Sequence, residues 1–162
     1  MGPLWRECVV GRDLVAYLQR LADIPLTARS HVVSDKPKPS AVVFAKNVAS
    51  VARFYAELIS MSIVHTDPDH IVLDSDAMQL VIHAIPAAVA DAIGITEPPE
   101  VREGMPIKLC LPVASIAAAR ARAAQLGGNV DSAQDEWQGR NFRACDGYDP
   151  EGNVVQFREG LR

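Results

Sequence analysis

The stretch Asp149-Pro150-Glu151-Gly152-Asn153, followed by Val154-Val155-Gln156-Phe157, has the composition of a tight turn that leads into a β-strand. The proline fixes its own φ for the second position of the turn, and the glycine takes a positive φ without steric cost. Branched and aromatic residues favour a strand directly after the turn. Because strand side chains alternate between two faces, Gln156 lies on the face opposite its apolar neighbours. We therefore predict a final strand that directs one polar side chain away from the core.

Hydrophobic periodicity over the preceding residues predicts one order of elements twice: a strand, a helix and three strands. In the first copy, strands cover 41–45, 61–65, 70–73 and 79–83, and Asn47 caps a helix over 48–58. In the second copy, strands cover 107–111, 140–145 and 154–157, with another opening at Asn129. Ser115 caps the second helix, which ends at Gly127-Gly128. We place module one at 40–83, a connection at 84–105 and module two at 106–159.

The N-terminal residues 1–39 have a different pattern. Apolar residues at helical spacing predict a helix over 11–22, and the polar, proline-containing segment 34–39 predicts a linker. We therefore expect an N-terminal helical extension with its linker at 1–39 and a separate domain at 40–162. The expected role of the extension is structural: it covers a sheet edge or packs on a partner chain.

Composition restricts the classes of partner. The chain has 162 residues, of which 49% are hydrophobic, and a formal net charge of −4 without a basic run, so we expect no nucleic-acid partner. No apolar run is long enough for a membrane span, and charged residues interrupt the N-terminus where a signal peptide would be apolar. Three cysteines without ligand spacing predict reduced thiols and a cytoplasmic location.

The repeated order of elements, together with Trp137-Gln138-Gly139-Arg140 and the 149–153 turn, resembles the vicinal oxygen chelate superfamily. This group includes glyoxalases, bleomycin resistance proteins and extradiol dioxygenases. The resemblance covers roughly 40–159 and implies an α+β fold in which two βαβββ modules form a curved mixed sheet around a cavity. It also implies a homodimer. Since one fold hosts several reactions, the resemblance does not select one.

The resemblance further implies a divalent metal held by one residue from the first and one from the last strand of each module. In this sequence those positions fall on Ser40, His83, Lys108 and Gln156. Only His83 and Gln156 are of a type that could bind a metal, and the Lys108 charge would repel a cation by about 4 kcal/mol at about 4 Å and a dielectric of about 20. We therefore expect no metal cofactor, with His83 and Gln156 as the ligands if a metal is present.

Two further groups allow more than one interpretation. The segment from His65 to His70 contains two histidines and two aspartates, but its Asp-Pro-Asp core is typical of a hairpin turn, which we favour over a metal cluster. Trp137 and Arg140 flank the last loop. They either line a ligand site or close one end of the cavity.

These features favour a small-molecule-binding protein with an incomplete metal site, which sequesters or senses an acidic or aromatic compound. The predicted ligand-binding residues are Ser40, Phe44, His83, Lys108, Trp137, Arg140 and Gln156. Because no carboxylate occupies a matched position, we expect the ligand to supply an anion to Lys108, unless Lys108 extends into solvent. One alternative is an enzyme: a metal-dependent lyase, isomerase or dioxygenase, for which the sequence indicates no catalytic residue, or a metal-free enzyme that uses Lys108 or His83 as an acid or base. The other alternative is a structural dimer without a ligand.

Overall fold

The computed structural model of the protein describes residues 37–161. The predicted helix at 11–22 therefore lies outside the described residues. Module one consists of β1 Ser40–Ala45, α1 Val48–Leu58, β2 Ser62–Thr66, β3 His70–Asp74 and β4 Gln79–Ala84. After the short helix α2 Ala87–Ala90, module two consists of β5 Leu109–Val113, α3 Ile116–Gln125, β6 Asn129–Val130, β7 Trp137–Gln138, β8 Phe142–Tyr148 and β9 Val154–Gly160. A single 3-10 turn, Ala133–Asp135, precedes β7.

Each module forms one mixed sheet with the same topology. The strand orders are β1-β4-β3-β2 and β5-β9-β8-β6, with the short β7 paired to β8. The first and last strands of each module are parallel neighbours, and the other pairs are antiparallel. The predicted α+β fold with two βαβββ modules is confirmed. One difference is β7, a short strand between the strand that opens at Asn129 and the one predicted over 140–145, where we predicted no strand.

The helices α1 and α3 begin where the sequence predicts. The side chain of Asn47 accepts a hydrogen bond from the backbone N–H of Ser50, and Ser115 accepts one from the backbone N–H of Ala118. These caps satisfy N–H groups that the first helical turn leaves without a partner. No helix within 37–161 is long and apolar enough to cross a membrane.

The core lies on the helix side of the two sheets. Its largest fully buried side chains include Tyr55, Phe54, Phe157, Ile71, Leu73, Leu80, Ile82, Leu111 and Ile116. The rings of Phe54 in module one and Phe157 in module two lie 6.3 Å apart in an edge-to-face arrangement. The modules of one chain therefore share a core, and the sheet faces opposite the helices, which we call the open faces, are not part of it.

The 149–153 turn joins the two modules through a buried carboxylate. Asp149 is fully buried and accepts hydrogen bonds from the Tyr55 hydroxyl at 3.0 Å and from the Asn153 side-chain amide at 2.8 Å. The backbone N–H groups of Glu151 and Asn153 donate to its other oxygen. Burial raises the pKa of Asp149, although these four donors favour the ionised form.

The next carboxylate of the turn makes a second link between the modules. Glu151 accepts hydrogen bonds from the backbone N–H groups of Lys46 and Asn47, at 2.9 and 2.6 Å, directly before α1. Gly152 has a φ of 82°, as the turn prediction requires, and a Cβ at this position would overlap the carbonyl oxygen of Glu100. The turn thus requires glycine both for its conformation and for its close packing.

Candidate functional site

The open face of module one carries exposed apolar side chains beside several polar ones. Val42 and Phe44 alternate with inward-facing residues of β1 and are 52% and 54% exposed. Strand pairing places Phe44 beside His83, whose ring centroid lies 5.7 Å from that of Phe44. His83 Nδ1 lies 2.9 Å from the carbonyl oxygen of Ala84. Since a carbonyl oxygen only accepts, Nδ1 is the donor in this contact.

Ser40 and His83, the two family positions of module one, do not lie next to each other in the structure. Ser40 pairs with Gln79, four residues before His83 on β4. At about 3.3 Å per strand residue this separates the two positions by about 13 Å, too far for two ligands of one ion. The neighbour of His83 on β1 is Phe44, which cannot ligate.

The open face of module two contains a chain of polar contacts in place of a ligand set. Lys108 Nζ lies 2.6 Å from Asp146 Oδ2, and Gln156 Nε2 donates to Asp146 Oδ1 at 3.0 Å. Arg158 Nε donates to Gln156 Oε1 at 2.8 Å. Both ends of the Gln156 amide are therefore committed to neighbouring side chains. We call these four residues the polar chain.

The polar chain corrects our expectation that Lys108 needs an anion from a ligand. Asp146 supplies the carboxylate, and Lys108 keeps a side-chain exposure of 39%. The four family positions consequently do not fit a divalent metal: one is an ion-paired lysine, one an amide with both ends hydrogen-bonded, and Ser40 and His83 are far apart.

Aromatic side chains extend the polar chain towards β7. The Arg158 guanidinium lies 4.6 Å from the centroid of the Phe142 ring, at cation–π distance. The Phe142 ring in turn meets Trp137 edge to face, with 5.7 Å between centroids. Trp137 is exposed on the short strand β7, and Arg140 lies in the exposed turn that follows it. Of the predicted site residues, Lys108, Gln156 and Trp137 thus belong to one connected surface of module two.

A cleft of about 380 Å³ opens at the lysine end of the polar chain. It is lined by Lys108, Asp146 and Tyr148, and by the connecting segment 101–107. Its volume is within the range of small-molecule sites. A second acid of the lining, Asp131, has its pKa raised by burial and then by the nearby charges of Asp135 and Asp146.

Sequence reasoning missed three members of this surface: Phe142, Asp146 and Arg158. The available signal was alternation in β8 and β9. If β8 is continued through Tyr148, antiparallel pairing places Asp146 opposite Gln156, and Arg158 is the next residue of β9 on the Gln156 face.

Comparison with known proteins agrees with this architecture. Residues 40–157 match the family model described as a glyoxalase-like domain. No curated protein sequence matches the chain significantly.

Solved structures share the fold at low identity. A glyoxalase/bleomycin resistance protein/dioxygenase family enzyme from Burkholderia phytofirmans PsJN has a TM-score of 0.52 and 14% identity, covering 78% of this chain and 100% of its own. TnmS3, an antibiotic-binding protein from Streptomyces sp. CB03234, has a TM-score of 0.51 and 17% identity over 80% and 99%. The bleomycin resistance determinant encoded on transposon Tn5 has a TM-score of 0.50 and 16% identity over 77% and 98%.

Proposed function

This chain belongs to the glyoxalase-like domain family, and we propose that it binds a small aromatic acid between the open faces of two copies of the chain, without a metal at the family's positions. The polar chain on module two carries this proposal. It occupies the place where the resemblance implies a metal set, and it satisfies its own polar groups there.

The charge of the polar chain indicates the chemistry of the ligand. Lys108 and Asp146 compensate each other, which leaves the Arg158 guanidinium as an uncompensated positive charge within the group. Arg158 bonds Gln156 through Nε, so its two terminal nitrogens remain suited to a carboxylate or phenolate. Phe142 and Trp137 beside it provide faces for an aromatic ring. The acidic aromatic ligand expected from the sequence is retained, but its anion contacts Arg158 instead of Lys108.

A second copy of the chain completes the site in this proposal. Val42, Phe44 and Trp137 are each about half exposed on open faces, an arrangement that leaves apolar surface for a partner or a ligand to cover. The structurally similar TnmS3 is an antibiotic-binding protein, which supports binding without catalysis as a use of this fold. Cys110 and Cys145 are free thiols, which suits a cytoplasmic location.

A thermal-shift panel tests the ligand chemistry. Aromatic carboxylates and phenolates, each paired with its neutral carboxamide or methyl ether, are added to the wild type and to Arg158→Gln. We expect acidic members alone to raise the melting temperature of the wild type, and Arg158→Gln to lose that shift.

Arg143→Gln is the matched control. Arg143 lies on the neighbouring strand β8, and its guanidinium pairs with Glu159 and Glu136 instead of the polar chain. Its ligand-induced shift should equal that of the wild type. Equal stabilisation of the wild type and Arg158→Gln by acidic ligands, or no stabilisation of the wild type by any member, would contradict the proposal.

A further inference from the structure

The hairpin between β2 and β3 brings two histidines and an aspartate together on the open face of module one. His70 Nδ1 lies 2.9 Å and His65 Nε2 lies 3.3 Å from the same oxygen, Asp67 Oδ2. One potential ligand atom from each residue lies within 4.8 Å of the other two. In a tetrahedral site with bonds of about 2.0–2.1 Å, neighbouring ligand atoms are about 3.3 Å apart. The two distances to Asp67 agree with that spacing to within about 0.4 Å. The two imidazole nitrogens lie within 4.8 Å of each other, so they approach by no more than about 1.5 Å to enclose an ion.

A β-bulge is what places His65 in this group. Ser62 pairs with Asp74 and Ile63 with Leu73, but the register then shifts so that His65, not Val64, pairs with Val72. Without the extra residue, alternation would direct His65 towards the helix side. The bulge therefore moves an imidazole onto the face that carries His70.

The orientation of Asp67 is fixed by its other oxygen. Oδ1 accepts hydrogen bonds from the backbone N–H groups of Asp69 and His70, both at 2.8 Å. These bonds leave Oδ2 directed at the two imidazoles. The predicted hairpin turn and the alternative of a metal cluster are thus compatible, because one oxygen serves the turn and the other faces the histidines.

We propose that His65, Asp67 and His70 bind a divalent transition-metal ion, through Nε2, Oδ2 and Nδ1 respectively. Two imidazoles and one carboxylate suit zinc, copper, nickel or cobalt, whereas magnesium and calcium prefer oxygen ligands alone. The three side chains are 54%, 34% and 29% exposed, so an ion reaches them from solvent. Three protein ligands leave at least one coordination position for water or another ligand.

This site differs from the family's metal positions, although it lies near one of them. The His70 ring stacks on the ring of His83, with 5.8 Å between centroids and 7° between planes. The proposed ligand atoms do not include His83, and the site does not depend on the small-molecule proposal above. Variants of His83 therefore separate the hairpin site from a metal bound in the family manner.

The experiment titrates the full chain, free of any histidine tag and of chelator, with Zn²⁺ by calorimetry and with Co²⁺ by visible absorption. The variants are His65→Ala, His70→Ala and Asp67→Asn. Asparagine keeps an oxygen for the two backbone N–H groups of the turn but removes the anionic ligand. Asp69→Asn, which removes a carboxylate of the same turn outside the cluster, is the matched control. Thermal melts in EDTA verify that each variant is folded.

We expect one equivalent of Zn²⁺ per chain and a tetrahedral Co²⁺ spectrum. Each ligand variant should weaken binding by more than about tenfold, the loss that indirect contacts to a metal already cause. Asp69→Asn should bind as the wild type does, and His83→Ala, which removes only a ring stacked on His70, should lose less affinity than any ligand variant. Absence of binding at millimolar Zn²⁺, unchanged affinity in Asp67→Asn, or equal loss in His83→Ala would overturn the proposal.

Discussion

The hydrogen bond between Tyr55 and Asp149 joins the two modules, and we predict that its removal lowers the stability of the domain. Tyr55→Phe removes the hydroxyl that donates to the buried Asp149 and leaves the carboxylate its three other donors. A hydrogen bond to a charged group contributes about 1.5–3 kcal/mol, so we expect the free energy of unfolding to fall by about 2 kcal/mol. Asp149→Ala is a poorer probe. It leaves four donors without that acceptor, at about 1–3 kcal/mol for each one that is buried, which is a large part of the stability of a domain.

Urea unfolding followed by circular dichroism measures this change. Tyr148→Phe is the control, because it removes a hydroxyl from a half-buried tyrosine and should change stability by no more than about 0.5 kcal/mol.

Burial, and then the charge of Asp149, raises the pKa of Tyr55 well above its ordinary value. The folded protein therefore keeps this proton where an unfolded tyrosine loses it, and stability falls as the pH rises above about 10. Tyr55→Phe should lack this fall in stability above about pH 10. If Tyr55→Phe lowers the free energy of unfolding no more than Tyr148→Phe does, the stabilising role of the Tyr55–Asp149 hydrogen bond is refuted.

Two other contacts make measurable predictions. A hydrogen bond from the backbone N–H of Ile116, and then the contact with Arg143, lowers the pKa of Glu159. The stability that the ionised Glu159 contributes is therefore present above about pH 4.3 and is lost as the pH falls. Thermal melts between about pH 3 and 6 should show a weaker pH dependence of stability in Glu159→Gln than in the wild type. Gly152→Ala should cost about 2–5 kcal/mol in urea unfolding, from its positive φ and from overlap with Glu100. Gly160→Ala, whose Cβ would meet open space, should cost less than about 1 kcal/mol, and similar losses in the two variants would contradict this account of the turn.

Local chemistry was sufficient to predict the elements whose signals lie in a few neighbouring residues. Asn47 and Ser115 are the helix caps, and Gly152 has the positive φ that the turn composition requires. Each of these signals acts over four residues or fewer, so no knowledge of the distant chain is needed.

Tertiary contacts decided the features that the sequence did not reveal. We predicted that the strand ends at Cys145. In the structure Asp146 contacts Lys108, which directly precedes β5, and Gln156 on β9, and β8 continues to Tyr148. The bulge before His65 leaves no comparable trace in sequence, because a bulge inserts one ordinary residue.

Strand register had the same dependence on distant contacts. The resemblance implied a family position at Ser40, whereas backbone pairing places Phe44 beside His83. A shift of one residue in strand register moves every side chain of that strand to the other face. Which residues share a site across two strands therefore depends on the strand pairing.

The central claim is that two copies of the chain form one binding site from their open faces, and the mass in solution tests it most directly. Light scattering of the full chain, at the concentration at which aromatic acids are titrated, should give twice the chain mass of 17.5 kDa. Phe44→Asp, which places a charge on the exposed apolar face of module one, should return the mass to that of one chain. A wild-type mass of 17.5 kDa under conditions where the acids bind would contradict the shared site.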